Sequence, residues 1–253
     1  MSIRPLSLDE IKKMEKACRL AAETLLYVGK LIRVGMTTDE IDKIVYDYTM
    51  TKGAIPAPLG YHGFPKSVCT SINNVVCHGI PDQTALREGD IINVDVTSKL
   101  DGFFGDTSKT FCVGVVGAEV LDLVEAARLA MEKGIEAITP YGMTGDIGFE
   151  INKFVTRKGY TTVKEIGGHG VGRIFHDEPF VPSWGKKGKG DKLIPFHCIT
   201  VEPMVNQGRE EVIEKPIQGS SIKYYETKDL KLSAQFEHTV LVTDTGYEIL
   251  TLA

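Results

Sequence analysis

Two aspartates, Asp95 and Asp106, lie in the segment NVDVTSKLDGFFGDTSKT, on either side of the pair Asp101 and Gly102. An Asp-Gly pair between two strand-like runs signals a two-residue type I′ hairpin loop. With those two residues as the loop, Leu100 faces Phe103, Thr97 faces Asp106 and Asp95 faces Ser108. Opposed residues share a face of the ribbon, and so do residues two apart. Asp95 and Asp106 therefore fall diagonally on one face, roughly 7–8 Å apart at the backbone. A one-residue bulge would break that parity. Paired carboxylates on a sheet fit for burial repel each other and are costly to desolvate. A cation between them would resolve the conflict.

Two more acids sit in segments that read as strands by their β-branched content: Glu202 in CITVEPMV and Glu237 in SAQFEHTVLVTD. Four acids are too many for one buried divalent ion, and two ions bridged by shared carboxylates balance them better. The chain has six histidines. His169 and His176 lie together in GGHGVGRIFHDEP, where the glycines flanking His169 let backbone approach closely. His176 can be a second ligand or a hydrogen-bond donor. His78 ends an apolar run beside a Gly-Ile-Pro turn, where a lone histidine is structural by default. The glycine-rich stretch lacks both the P-loop lysine and a GxGxxG pattern, so it does not read as a phosphate loop.

Hard oxygen donors with one nitrogen suit Mn, Fe, Co or Zn without choosing among them. Two such ions about 3.5–4 Å apart can share a water and lower its pKa towards neutrality. A carboxylate such as Glu202 can take the proton, and the histidines can hydrogen-bond a scissile carbonyl. This is hydrolytic chemistry, and no redox cysteine motif, dinucleotide loop or serine elbow competes with it.

The elements that must position these residues are legible as well. Ser7 to Glu10 reads as a capping box, followed by Ile11, Met14, Cys18, Ala21, Ala22 and Leu25 at helical spacing. Thr37 to Glu40 opens a second helix that carries Ile41, Ile44, Val45 and Tyr48 and ends near Gly53. Strands are expected from about Ile91 to Val113. A third helix runs from about Ala118 with Val120, Val124, Ala127 and Met131 as its stripe, stopped by Pro140; a fourth starts near Asp146. Strands dominate from there to the C-terminus.

That order repeats, and the letters repeat with it. Gly35-Met36-Thr37 echoes Gly142-Met143-Thr144, His62-Gly63 echoes His169-Gly170, and Val94-Asp95 echoes Val201-Glu202, all at an offset of 107. One offset shared by three segments points to a single domain over 1–253, built from repeats of about 6–113 and 114–253. The fold class expected is α+β, with pseudo-two-fold symmetry and one curved sheet layer flanked by helices. A site at the seam would draw a pair of acids from each half.

Composition agrees with a soluble globular protein: 253 residues, 42% hydrophobic and 25% charged. A net charge of −5 argues against a dedicated nucleic-acid site, and the basic run Lys186, Lys187, Lys189, Lys192 reads as a solvated loop. Five irregularly spaced cysteines without CxxC read as reduced thiols, and no stretch is apolar for long enough to span a bilayer. The compartment expected is the cytoplasm.

The motifs YHGFPKSVCTSINNVVCHGIPD, INVDV, GFFGDTSKTF, GGHGVGRIFHDEP, TVEPMV and SAQFEHTVLVT together resemble those of the type I methionine aminopeptidase family, from about residue 10 to the C-terminus. The resemblance implies the pita-bread fold and removal of the initiator methionine from nascent polypeptide N-termini with a small second residue, through a hydroxide shared by two divalent metals. It implies Asp95, Asp106, His169, Glu202 and Glu237 as metal ligands, with Glu202 also the general base. It implies His78 and His176 as contacts of the substrate and its transition state, and Tyr61, Phe64, Cys69 and Phe175 as lining of the methionine pocket. A monomer with transient ribosome contact is expected. Three departures fall outside the ligands: Pro195-Phe196-His197 where Pro-Gly-Met is usual, Pro58 at a common cysteine position, and a longer 203–236 segment with Tyr224 and Tyr225 but no tryptophan. Rival readings are a proline-specific peptidase of the same fold, a non-catalytic binding module and a dinuclear phosphoesterase. The complete ligand set weighs against the second, and the missing phosphate clamp against the third. Ser2 is itself small enough to follow a removable methionine.

Overall fold

The computed structural model describes residues 4–253; Ser2 lies outside the described residues. The first half opens with α1 (Leu8–Gly29) and α2 (Thr38–Thr51), followed by β1 (Ile55–Pro56), β2 (Cys69–Ile72) and β3 (Val75–Cys77), and then the long hairpin β4 (Ile91–Leu100) and β5 (Phe103–Cys112). The second half opens with α3 (Ala118–Glu136) and α4 (Thr144–Arg157). It continues through β6 (Thr161–Thr162), β7 (Gly168–Val171), β8 (Asp177–Val181), β9 (Cys198–Val201), β10 (Met204–Asn206), β11 (Val212–Pro216) and β12 (Lys223–Thr227) to β13 (Ser233–Val242) and β14 (Tyr247–Ile249).

Both predicted capping boxes form. Glu10 accepts from the Ser7 N–H at 2.9 Å, and Glu40 accepts from the Thr37 N–H at 2.7 Å. The stripe predicted for α1 is buried throughout. That of α3 is rotated: Leu123, Ala127, Ala130, Met131 and Ile135 are buried, whereas Val120 and Val124 are only partly so. The helix touches two partners at once, Ile147 and Ile151 of α4 and Ala234, Phe236 and Val240 of β13, so its buried arc is wider than one stripe. The fourth helix starts two residues before Asp146, and that carboxylate accepts the Met143 N–H at 3.1 Å.

The main sheet runs β1-β4-β5-β13-β9-β7-β8, with β2, β10 and β14 attached to its members; its pairings are antiparallel. The inner strands of the two halves, β5 and β13, meet at Phe236 opposite Lys109 and Glu237 opposite Ser108. A separate small sheet joins β11, β12 and β3. Similar bonds close the turns before α2 and α4: Leu86 donates to the Met36 carbonyl at 2.9 Å, and Leu193, 107 residues on, donates to the Gly142 carbonyl, 106 residues on from Met36, at 2.8 Å. Helix α1 lies hard against the sheet at Gly105, where a Cβ would fall 2.3 Å from the Ala17 carbonyl carbon. The glycine next to Asp106 is therefore what lets α1 close over that strand. No helix among the described residues is long and apolar enough to cross a membrane.

Candidate metal centre

The β4–β5 hairpin has the register read from sequence: Leu100 opposite Phe103, Thr97 opposite Asp106, Asp95 opposite Ser108. Asp101 (φ 51°) and Gly102 (φ 84°) both take the left-handed conformation that a type I′ loop needs. Asp95, Ser108 and Glu237 thus form one row across β4, β5 and β13. Glu202 departs from expectation. CITVEPMV is two strands, β9 and β10, broken at Glu202 and Pro203. Proline has no N–H for the ladder, so the chain leaves the sheet there. His169 lies in β7 between two crowded glycines. A Cβ on Gly168 would fall 2.2 Å from the Thr200 oxygen, and one on Gly170 2.0 Å from the Glu178 oxygen. Any larger residue would push the neighbouring backbone away.

All five expected ligands line one cavity of about 470 Å³. Ligating atoms of Asp106, His169 and Glu237 lie within 4.8 Å of one another. Glu202 joins them through Oε1, 3.6 Å from His169 Nε2. Asp95 lines the same cavity but stands outside that tightest group. Burial and then the Asp106 charge raise the pKa of Asp95, Glu202 and Glu237 well above the usual carboxylate range. Burial raises Asp106 to about 7, against hydrogen bonds from Thr97 and the Thr107 N–H that lower it. Among the described residues, no lysine or arginine pairs with any of the four; the one basic neighbour within 4.0 Å is His169.

His169 does not neutralise them. Its Nδ1 lies 3.0 Å from the Gly170 carbonyl, which can only accept, so Nδ1 carries the proton. Burial lowers its pKa to about 4 and keeps the ring neutral. The Nε2 lone pair therefore faces Asp106 Oδ2 at 3.8 Å and Glu202 Oε1 at 3.6 Å, too far for a shared proton. Carboxylate oxygens and an imidazole nitrogen converging at these distances fit a cation, which would displace the protons that burial favours on the acids, and Nδ1–H bound to a carbonyl is the usual outer support of a metal-bound imidazole. The residues present, carboxylate oxygens with one imidazole nitrogen, fit a divalent metal.

The remaining expected residues line the same cavity. Phe175 stacks on Phe104 at 5.4 Å and on His176 at 4.1 Å, and Tyr61 lies against Phe175 at 4.8 Å. Phe64 and Cys69 are buried with Ile217. His176 Nδ1 is 3.0 Å from the Tyr61 hydroxyl. His78 has a left-handed backbone (φ 56°), and its Nδ1 donates to the Lys223 carbonyl at 3.0 Å. Of the departures noted in sequence, Pro58 and Tyr225 line the cavity, whereas Tyr224 does not.

Three residues have supporting roles that the sequence reading did not assign, although it placed Thr97 opposite Asp106. Thr97 donates to Asp106 Oδ1 at 2.7 Å. Thr200 accepts the His169 N–H at 3.0 Å and donates to Glu202 Oε1 at 2.9 Å. Gln235 donates to Glu202 Oε2 at 3.0 Å. Each lies opposite an expected ligand or two residues from one, so the same-face rule applied to polar neighbours would have found them.

The sequence pattern of metallopeptidase family M24 matches residues 12–244. The methionine aminopeptidase of Rickettsia prowazekii is 43% identical over 253 residues, covering 100% of this chain and 96% of that protein. Methionine aminopeptidase A of Synechocystis sp. is 47% identical over 252 residues, covering 99% and 98%. The crystal structure of the Rickettsia prowazekii enzyme superposes with a TM-score of 0.96, covering 99% of this chain and 100% of that chain.

Proposed function

The chain belongs to metallopeptidase family M24, and on that ground we propose that it removes the initiator methionine from polypeptides whose second residue is small. The observation that carries this reading is the position of His169 Nε2, 3.8 Å from Asp106 Oδ2 and 3.6 Å from Glu202 Oε1, with Nδ1 committed to the Gly170 carbonyl. Asp95, Asp106, His169, Glu202 and Glu237 would hold two divalent ions, drawn from Co, Mn, Fe and Zn. When bound, such ions neutralise the acids and supply Lewis-acid activation of water.

The chain's own groups do the rest. Glu202 is held at both carboxylate oxygens, by Thr200 and Gln235, and takes the proton of the attacking water before passing it to the leaving amine. The Tyr61 hydroxyl donates to His176 Nδ1, leaving Nε2–H to hydrogen-bond the scissile carbonyl oxygen as charge develops there. The Lys223 carbonyl holds His78 Nδ1–H, which leaves Nε2 to accept the N–H of the scissile amide. Tyr61, Phe64, Cys69 and Phe175 surround the methionine side chain with polarisable apolar surface suited to a thioether.

The partners are nascent N-termini, with transient contact at the ribosome, and the chain works as a monomer in the cytoplasm. The matching turn bonds of Leu86 and Leu193 support one catalytic domain made of two copies, about 6–113 and 114–253. Turnover of synthetic peptides tests the reading. Metal-loaded protein is expected to release methionine from Met-Ala and Met-Ser peptides and to spare Met-Lys. A preference for Met-Pro and Ala-Pro peptides would favour the proline-specific rival. Asp106→Ala is expected to lose metal and activity together.

A further inference from the structure

The small sheet of β11, β12 and β3 brings part of the 203–236 segment against His78. His78 follows the end of β3 with a left-handed backbone, and its ring is fixed by one bond, Nδ1–H to the Lys223 carbonyl at 3.0 Å. Lys223 begins β12, and its partner across the hairpin is Pro216. Proline has no N–H, so the ladder donates nothing to Lys223 from that side. The pairing of β12 with β3 is irregular nearby, with a register shift between Tyr225 and Glu226. Backbone bonding therefore holds this end of the hairpin weakly.

Side chains hold it instead. Glu214 of β11 pairs with the Lys223 ammonium through Oε1 and accepts the Tyr225 hydroxyl through Oε2 at 3.4 Å. Both partners flank His78: Lys223 through its carbonyl, Tyr225 through its ring, 6.2 Å away and edge-on. Glu214, Lys223, Tyr225 and His78 all line the cavity. An isolated ion pair at such exposure contributes little to folding stability. Here it sets the position of one carbonyl, and through it the tautomer and aim of an imidazole.

We propose that Glu214 is a positioning residue for the reaction: its bonds to Lys223 and Tyr225 hold the Lys223 carbonyl where it keeps His78 with Nδ1 protonated and Nε2 turned to the substrate. The inference rests on the proposed role of His78, and the experiment separates the two.

Steady-state turnover of a Met-Ala-Ser peptide is measured for Glu214→Ala, the reversed pair Glu214→Lys with Lys223→Glu, and His78→Ala, with bound metal and melting temperature checked for each. Ring nitrogen-15 shifts of His78 are recorded in the wild type and in Glu214→Ala. Glu214→Ala is expected to lower kcat about tenfold with KM nearly unchanged, since small misplacements of a reacting group act on the chemical step. Metal content and melting temperature stay at wild-type levels, and the His78 shifts move from a single tautomer towards a mixture. The reversed pair recovers most of kcat. Wild-type kcat in Glu214→Ala, or unchanged His78 shifts, overturns the proposal. So does a reversed pair that folds and binds metal but stays slow. Full activity in His78→Ala removes the role assigned to His78, and the nitrogen-15 shifts alone then decide whether Glu214 positions its ring.

Discussion

Thr97 stands directly across the β4–β5 hairpin from Asp106 and donates its hydroxyl to Oδ1 at 2.7 Å. The bond leaves Oδ2 as the oxygen nearer His169 Nε2. A carboxylate free to rotate would present either oxygen, so this one hydroxyl selects the donor that faces the centre.

Thr97→Val removes that bond while nearly keeping the shape. Loss of an outer-shell partner typically costs about 10–100-fold in metal affinity. Competitive metal titration is expected to show a loss in that range, with the substrate KM little altered. Wild-type affinity in the variant would mean that Asp106 needs no orienting partner.

Gly105→Val tests how α1 is seated over Asp106. The new Cβ would meet the backbone of Ala17 and Cys18, which cannot rotate away. Overpacking of this kind costs about 1–3 kcal/mol. Urea denaturation is expected to show at least that loss, and metal binding to weaken because β5 shifts.

Removal of metal should make stability depend on pH in a defined direction. Burial raises Asp106 to about 7, and burial with the Asp106 charge raises Asp95, Glu202 and Glu237. Groups raised in the folded state contribute stability below their unfolded pKa and lose it as pH rises through the folded value. Chelated protein is therefore expected to melt at a lower temperature at pH 8 than at pH 6. The increment restored by metal should grow over the same interval, because metal displaces protons from the acids. Calorimetry with and without chelator measures both.

In the first turn of α1 the sign is opposite. Glu10 accepts from Arg173 Nε at 2.7 Å and from Ser7, bonds that lower its pKa from 4.5 to about 2. A depressed carboxylate gives stability that is present above its unfolded pKa and lost as pH falls through the folded one. The difference in melting temperature between wild type and Glu10→Gln should be constant above about pH 5 and shrink towards pH 2. A difference that persists at pH 2 would show that shape, not charge, is what Glu10 supplies.

Much of this site was legible because its determinants are local. Asp101 and Gly102 set the hairpin register, and the register alone placed Asp95, Thr97 and Asp106 on one face. The glycines around His169 announced close backbone, and carbonyls of Thr200 and Glu178 occupy that space. What could not be read depends on contacts distant in sequence. Nothing near His78 shows that its ring will be held by Lys223, 145 residues away. The rotation of α3 follows from facing α4 and β13 together, which no single-helix pattern contains. The break at Glu202 was readable, since Pro203 already denies the strand a donor.

The most direct test of the central claim is to strip the protein with chelator, add back Mn or Co in measured amounts, and follow both bound metal and hydrolysis of a Met-Ala-Ser peptide. Turnover that is absent after chelation and rises to a plateau as two ions bind per chain is the predicted result. Full turnover in protein shown to contain no metal would contradict it, as would a chain with intact carboxylates that binds none.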